Sequence, residues 1–254
     1  MRIVRYAHGN EPRWGVLGDD DKVHAAEGEP WRDLRAGPVV GAPGEVRLLA
    51  PVTPSKIVCV GRNYADHAAE LGNPVPEEPL IFLKPPSAIV GPADEIVHPA
   101  RSRRVDPEAE LVVVIGRSGR RIPAAEAMSV VGGYTCGNDV TARDLQKSDP
   151  QWTRGKGFDT FCPLGPWIDT EFDPSDVRVT CTVNGEVRQD GRTRDFLFDI
   201  PTVIAYVSDF ARLEPGDVIM TGTPPGVRPV AVGDTITVAV EGLGELTNTV
   251  VADG

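Results

Sequence analysis

At 254 residues and 27.2 kDa, with 41% hydrophobic and 25% charged residues, the chain has room for one large globular domain, alone or with a small appendage. A net charge of −11 and a pI near 4.9 argue against nucleic acid or an anionic membrane as the main partner. The 27 Gly and 24 Pro, beside only 6% aromatics, favour short strands and turns over a helical bundle.

In chain order, Met1–Tyr6 and Trp14–Leu17 read as short strands, with Asp19-Asp20-Asp21 as an acidic turn after the second. Residues 26–44, rich in Gly, Pro, Ala and charge, read as a linker. The expected division is a small N-terminal β unit and linker over 1–50 and a catalytic domain over 51–254. Lys56–Val60 is a buried strand ending at Gly61, and Tyr64–Leu71 a helix stopped by Gly72. Leu80–Leu83 is a short strand before Lys84-Pro85-Pro86. The run Leu111–Ile115 reads as a strand buried on both faces. Gly133–Cys136 is strand-like, and Pro123–Val131 reads as a helix with Pro at its first position. Asn184-Gly185 marks a tight hairpin between Val177–Val183 and Glu186–Gln189. Ile200–Leu213 reads as a helix and Gly216–Met220 as a strand; Thr235–Val240 and Leu246–Val251 close the chain as a pair. The sum is a strand-rich mixed α+β architecture without regular βαβ alternation.

Four side-chain constellations could carry chemistry. Glu108 and Glu110 precede the buried run two residues apart, so a strand points both to one side. Converging buried carboxylates repel unless a proton, a basic side chain or a divalent cation joins them. Asn138-Asp139 supplies a third oxygen donor, and Mg²⁺ or Mn²⁺ suits such a set. The alternative is that the glutamates line a solvated sheet edge and Asp139 caps a helix. His67 and Glu70, at i and i+3, form either a carboxylate-oriented base or an ordinary solvated helix face. Lys156, in the Gly-bearing segment 152–161, could neutralise a carboxylate or a developing enolate, or sit in a plain loop. Thr221–Gly226 offers hydroxyls and N–H groups to an anion, or makes a simple turn. Arg101, Arg103, Arg104, Arg117, Arg120 and Arg121 read as solvated loops, with substrate or subunit contact as the alternative. Four scattered cysteines give no zinc or redox motif, and Cys59, Cys136 and Cys181 read as buried small hydrophobes. GxSxG, Walker and strand-linked GxGxxG signatures are missing, which weakens serine hydrolysis, nucleotide hydrolysis and dinucleotide redox chemistry. The sequence offers neither a signal peptide nor a bilayer-length apolar run, so a cytoplasmic location is expected.

In order, Gly61–Glu70, Phe82–Pro85, Glu108–Leu111, Gly133-Tyr134, Asn138–Asp144, Gln151–Thr160, Val183–Glu186 and Pro215–Pro224 resemble the fumarylacetoacetate hydrolase family. The resemblance spans roughly residues 51–251; residues 1–50 match only loosely, as a variable N-terminal segment. It implies a β-sandwich roll holding Mg²⁺ or Mn²⁺ through Glu108, Glu110 and Asp139. His67 and Glu70 would lie on a closing lid, Lys156 would face the oxo-acid end, and Arg62, Lys84, Arg143, Gln146 and Thr223 would contact substrate. It further implies a homodimer acting on small oxo acids. Hydrolysis of acylpyruvate-type 2,4-dioxo acids is the first expectation. Oxaloacetate decarboxylation and isomerisation of a 2-hydroxy-dienedioate of aromatic catabolism are the alternatives. One departure stands out: many members carry an aromatic residue before the first metal-binding Glu, where this chain has Asp106-Pro107. Asp106 could therefore approach the metal or shift the loop.

Overall fold

Every side chain of the strand Ala109–Ile115 is buried, and its two faces belong to different cores. Leu111, Val113 and Ile115 pack with Val179, Cys181 and Val238 of a second sheet. Val112 and Val114 pack with Ile57, Cys59, Leu164 and Met220. Alternation on a doubly covered strand demands an unbroken apolar run, and the sequence supplies one.

The computed structural model describes residues 1–70 and 74–254. Among them, a twelve-stranded sheet has its central order Arg2–His8, Cys162–Asp169, Val131–Asn138, Ala109–Ile115, Val218–Met220, Ile57–Gly61, Leu80–Lys84. A five-stranded sheet, led by the hairpin Arg178–Val183 and Glu186–Arg192, covers one face of it. The hairpin turn has positive φ at both Asn184 (52°) and Gly185 (81°), the backbone that a two-residue turn of this hand requires. The helix Ile200–Phe210 buries Ile200, Val203, Ile204 and Val207 against the same core, and Asp199 caps it by accepting from the Thr202 N–H at 2.9 Å. No helix among the described residues is long and apolar enough to cross a membrane.

Several elements differ from expectation. Residues 26–44 are not a plain linker: Val23–Glu27 ends within them and Arg35–Gly41 pairs with it as the outermost strand of the large sheet. The N-terminal strands are continuous with that sheet, since Arg2↔Asp169 and Ile3↔Ile168 are in register. The segment after Pro123 is a 3₁₀ helix, Ala124–Val130, which buries Ala127 and Val130 at the three-residue spacing of that helix. Helix Ala65–Glu70 is observed, whereas the expected continuation to Leu71 and the stop at Gly72 lie outside the described residues.

Candidate active site

Antiparallel register brings the carboxylates together. Ala109 lies opposite Asn138 and Glu110 opposite Gly137, so the start of one strand meets the end of the other. Two hydrogen bonds lock this junction: Asp139 N–H to Glu108 O, and Glu108 N–H to Asn138 Oδ1, each 2.9 Å. On the other flank, Thr221 Oγ1 donates to Leu111 O and Thr223 Oγ1 to Ala109 O. Gly222, between them, has φ 101°, and a Cβ there would meet the Asn63 Cβ at 2.7 Å. Its N–H donates to Glu110 Oε2 at 2.8 Å. Glu108, Glu110 and Asp139 are 3%, 2% and 1% exposed, and one oxygen from each can be chosen so that all lie within 4.8 Å of one another.

Cations and carboxylates then alternate through the site. Arg104 grips Asp106 with Nε and Nη2, and Asp106 accepts from Arg143 Nε at 2.9 Å. Arg143 Nη2 donates to Glu108 Oε1, and its Nη1 to Gln146 Oε1 at 2.7 Å. Lys156 Nζ donates to Glu108 Oε2 and Asp139 Oδ2, both at 2.6 Å. Lys84 Nζ closes the series on Asp139 Oδ1 at 2.6 Å and on Val140 O. Burial pushes the Glu108 carboxyl up, but Lys156 and Arg143 outweigh it and hold it well below the usual range. Glu110 stands apart. Among the described residues it has no ion pair, only the Gly222 N–H, and burial with the charges of Asp139 and Glu108 pushes it well above the usual range.

This asymmetry is the test of whether a metal fits. The protein's own cations satisfy Glu108 and Asp139, but leave one fully buried carboxylate uncompensated where three oxygen donors converge. An all-oxygen set of that kind fits a hard divalent cation. Asp106 is not part of the set: it is fully buried between Arg104 and Arg143 and orients the latter's fork.

The carboxylates open into a cavity of about 340 Å³, lined also by Arg62, His67, Arg143, Gln146, Lys156 and Thr223. The sequence-derived set thus converges there, with two exceptions in placement. Lys84 lies behind Asp139 with its side chain wholly buried, outside the lining. Glu70 also lies outside the lining; its carboxylate accepts from the Gly226 N–H at 3.0 and 3.1 Å and sits 3.5 Å from His67 Nδ1. Burial depresses the His67 imidazole below its ordinary value; Glu108 opposes that shift and Arg143 adds to it. Phe82, Lys147, Asp149 and Trp152 line the cavity although sequence reasoning gave them no role. Phe82 and Trp152 meet edge to face at 5.3 Å, and Arg62 lies 5.8 Å from the Trp152 ring centroid. Both aromatics sit inside the quoted motifs, the one signal that could have found them.

Fold and cluster together define a β-rich enzyme class with a carboxylate triad suited to a divalent metal. Residues 56–251 match the family described as Fumarylacetoacetate (FAA) hydrolase C-terminal, and residues 1–51 match Rv2993c-like, N-terminal. The chain belongs to the fumarylacetoacetate hydrolase family. It is 49% identical to Protein Rv2993c of Mycobacterium tuberculosis, covering 100% of this chain and 99% of that one. It is 51% identical to the human Oxaloacetate tautomerase FAHD2A, mitochondrial, covering 82% of this chain and 70% of the relative. The crystal structure of 5-carboxymethyl-2-hydroxymuconate delta-isomerase from Mycobacterium smegmatis superposes with a TM-score of 0.90 at 46% identity, with 100% of each chain covered.

Proposed function

We propose that the chain is a divalent-metal-dependent enzyme that moves a proton on an enolisable 2-oxo dicarboxylate, as a tautomerase or isomerase. The charge inventory of the site carries this reading. Lys84, Arg104, Arg143 and Lys156 equal Asp106, Glu108, Glu110 and Asp139 in number, although Glu110 has no cation beside it among the described residues. A divalent cation therefore leaves an excess of two positive charges, the complement of a dianion. On the cavity lining Arg62 and Lys147 add two positive charges and Asp149 subtracts one, which favours the same ligand, and the relatives named for proton-shifting reactions support it.

Glu108, Glu110 and Asp139 would hold the cation, which would supply Lewis acidity toward a 2-oxo group and its neighbouring C–H. His67, kept neutral by burial, accepts that proton and returns it at the alternative atom. Glu70, 3.5 Å from Nδ1 and not hydrogen-bonded to it, acts on the imidazole through its negative charge. Lys156 on the cavity lining places a positive charge where the enol oxygen gathers negative charge. Arg143, braced by Asp106 and Gln146, and Arg62 face the carboxylates of the substrate.

Hydrolytic C–C cleavage of a 2,4-dioxo acid is the second reading, favoured by the same His67–Glu70 pair as a water activator. It ranks second because Glu70 is already engaged by Gly226 and lies outside the cavity lining. Enol-to-keto conversion of oxaloacetate, followed by ultraviolet absorbance with Mn²⁺ and with EDTA, tests the first. Pyruvate release from acetylpyruvate tests the second. EDTA-sensitive conversion of oxaloacetate without pyruvate release is the expected result. Faster turnover of acetylpyruvate would replace the first reading with the second.

A further inference from the structure

We propose that Lys156 and a divalent cation compete for the same two carboxylate oxygens, so that metal binding releases the Lys156 ammonium into the cavity and thereby completes the substrate site. This rests on reading Glu108, Glu110 and Asp139 as the metal site.

Each of the two carboxylates is held from both sides, and the two sides differ in kind. Glu108 Oε1 is bound by Arg143, whose guanidinium is itself pinned by Asp106 and Gln146. Asp139 Oδ1 is bound by Lys84, which is pinned by Val140 O. These two oxygens are committed to cations that the fold fixes. The other two oxygens, Glu108 Oε2 and Asp139 Oδ2, share one partner, Lys156 Nζ, at 2.6 Å from each. Lys156 has no further hydrogen-bond acceptor among the described residues. It is the last residue of the one-turn helix Thr153–Lys156, its ammonium lies 4.8 Å from the Phe82 ring centroid, and it lines the cavity.

Glu108 Oε2 and Asp139 Oδ2 are the oxygens not held by a pinned cation, so a cation that joins Glu110 to these carboxylates meets Lys156 there. Mg²⁺ binds oxygen at about 2.0–2.1 Å, closer than the ammonium sits. A divalent ion and an ammonium on the same two oxygens would repel across a few ångströms and divide lone pairs that the metal requires. The long, flexible Lys stem lets the ammonium yield, and the cavity with its Phe82 face is the space open to it. Lys156 is then an internal counter-ion in the metal-free protein and a substrate-facing charge in the metal-loaded one, and metal precedes the anionic substrate.

The test uses Mn²⁺ alone with the full chain. Isothermal titration of Lys156→Met should give a Kd for Mn²⁺ at least tenfold tighter than wild type, with a lower Tm for the metal-free variant. Lys147→Met, which removes another cavity-lining charge without freeing those oxygens, should change Kd less than threefold. In the wild type, amine labelling followed by mass spectrometry should show Lys156 modified several-fold faster with Mn²⁺ than with EDTA, against Lys22 as reference. That measurement stands even if the variant fails to fold. Wild-type binding with no gain in Lys156→Met, an equal gain in Lys147→Met, or Lys156 labelling that holds or falls with Mn²⁺ would overturn the competition and leave the metal site standing. No Mn²⁺ binding by wild type or Lys156→Met would overturn both.

Discussion

Glu110 is the residue on which the site turns, because it is buried without a cation of its own. Its raised folded-state pKa means that the metal-free fold binds a proton that the unfolded chain releases above its ordinary 4.5. Its contribution to stability is therefore fully present below about 4.5 and is lost as pH rises through the folded value. Glu110→Gln should remove that loss, raising the metal-free stability near neutral pH by on the order of 1 kcal/mol, about 2–4 °C in Tm. The same variant should lose Mn²⁺ binding by titration; a destabilised variant that still binds metal would contradict the assignment. His67 gives a second pH marker. Its pKa lies below the ordinary 6.5, so the acid limb of kcat/KM should fall below pH 6.5, with activity retained at 6.5 itself. Asp106→Asn should withdraw half the anionic support from a buried Arg143, costing about 3–5 kcal/mol in denaturant unfolding. KM should also rise as the Arg143 fork loosens.

At the scale of elements, the site depends on backbone pairing rather than on loops. Leu111→Ala, on the face of the central strand turned to the second sheet, should cost about 2–5 kcal/mol in equilibrium unfolding without changing metal affinity, since the carboxylates occupy the opposite face. Equal loss of both would mean that the two cores are not separable. This strand and its glutamates were legible in the sequence because alternation and a β-branched run need no partner to be recognised. Asn184-Gly185 was legible for a similar reason: its turn chemistry is local. Cys162–Asp169 was not, since Pro163, Gly165 and Pro166 read as breakers. It is nonetheless a strand between two others, with an irregular register between Tyr134 and Cys136 that accommodates it. The pairings of Lys84 with Asp139 and Arg143 with Asp106 were equally hidden, since each spans 37 residues or more and depends on which strand ends meet. The resemblance implied that Arg143 and Lys84 contact substrate; that both also grip buried carboxylates was not legible in the motifs.

Across the whole molecule, the net charge of −11 and the cation-framed cavity are opposites, so recognition of an anion falls to the site's own fork-like and ammonium groups rather than to the protein's overall field. Metal binding should be visible in global stability: at a hundredfold excess over Kd it adds about 2.7 kcal/mol, or roughly 5–10 °C in Tm, and EDTA should abolish the shift. The ladder from Ala109↔Asn138 to Ile115↔Val131 has one further consequence. Glu108 and Asp139 meet at one end of this pair, while the chain joining the two strands, residues 116–130, turns at the other. Lengthening that connection at its exposed residues, Arg117 and Ser118, should leave the distance between these two carboxylates unchanged. The geometry of the carboxylate triad is thus set by the strand pair itself and not by the segment that joins the two strands.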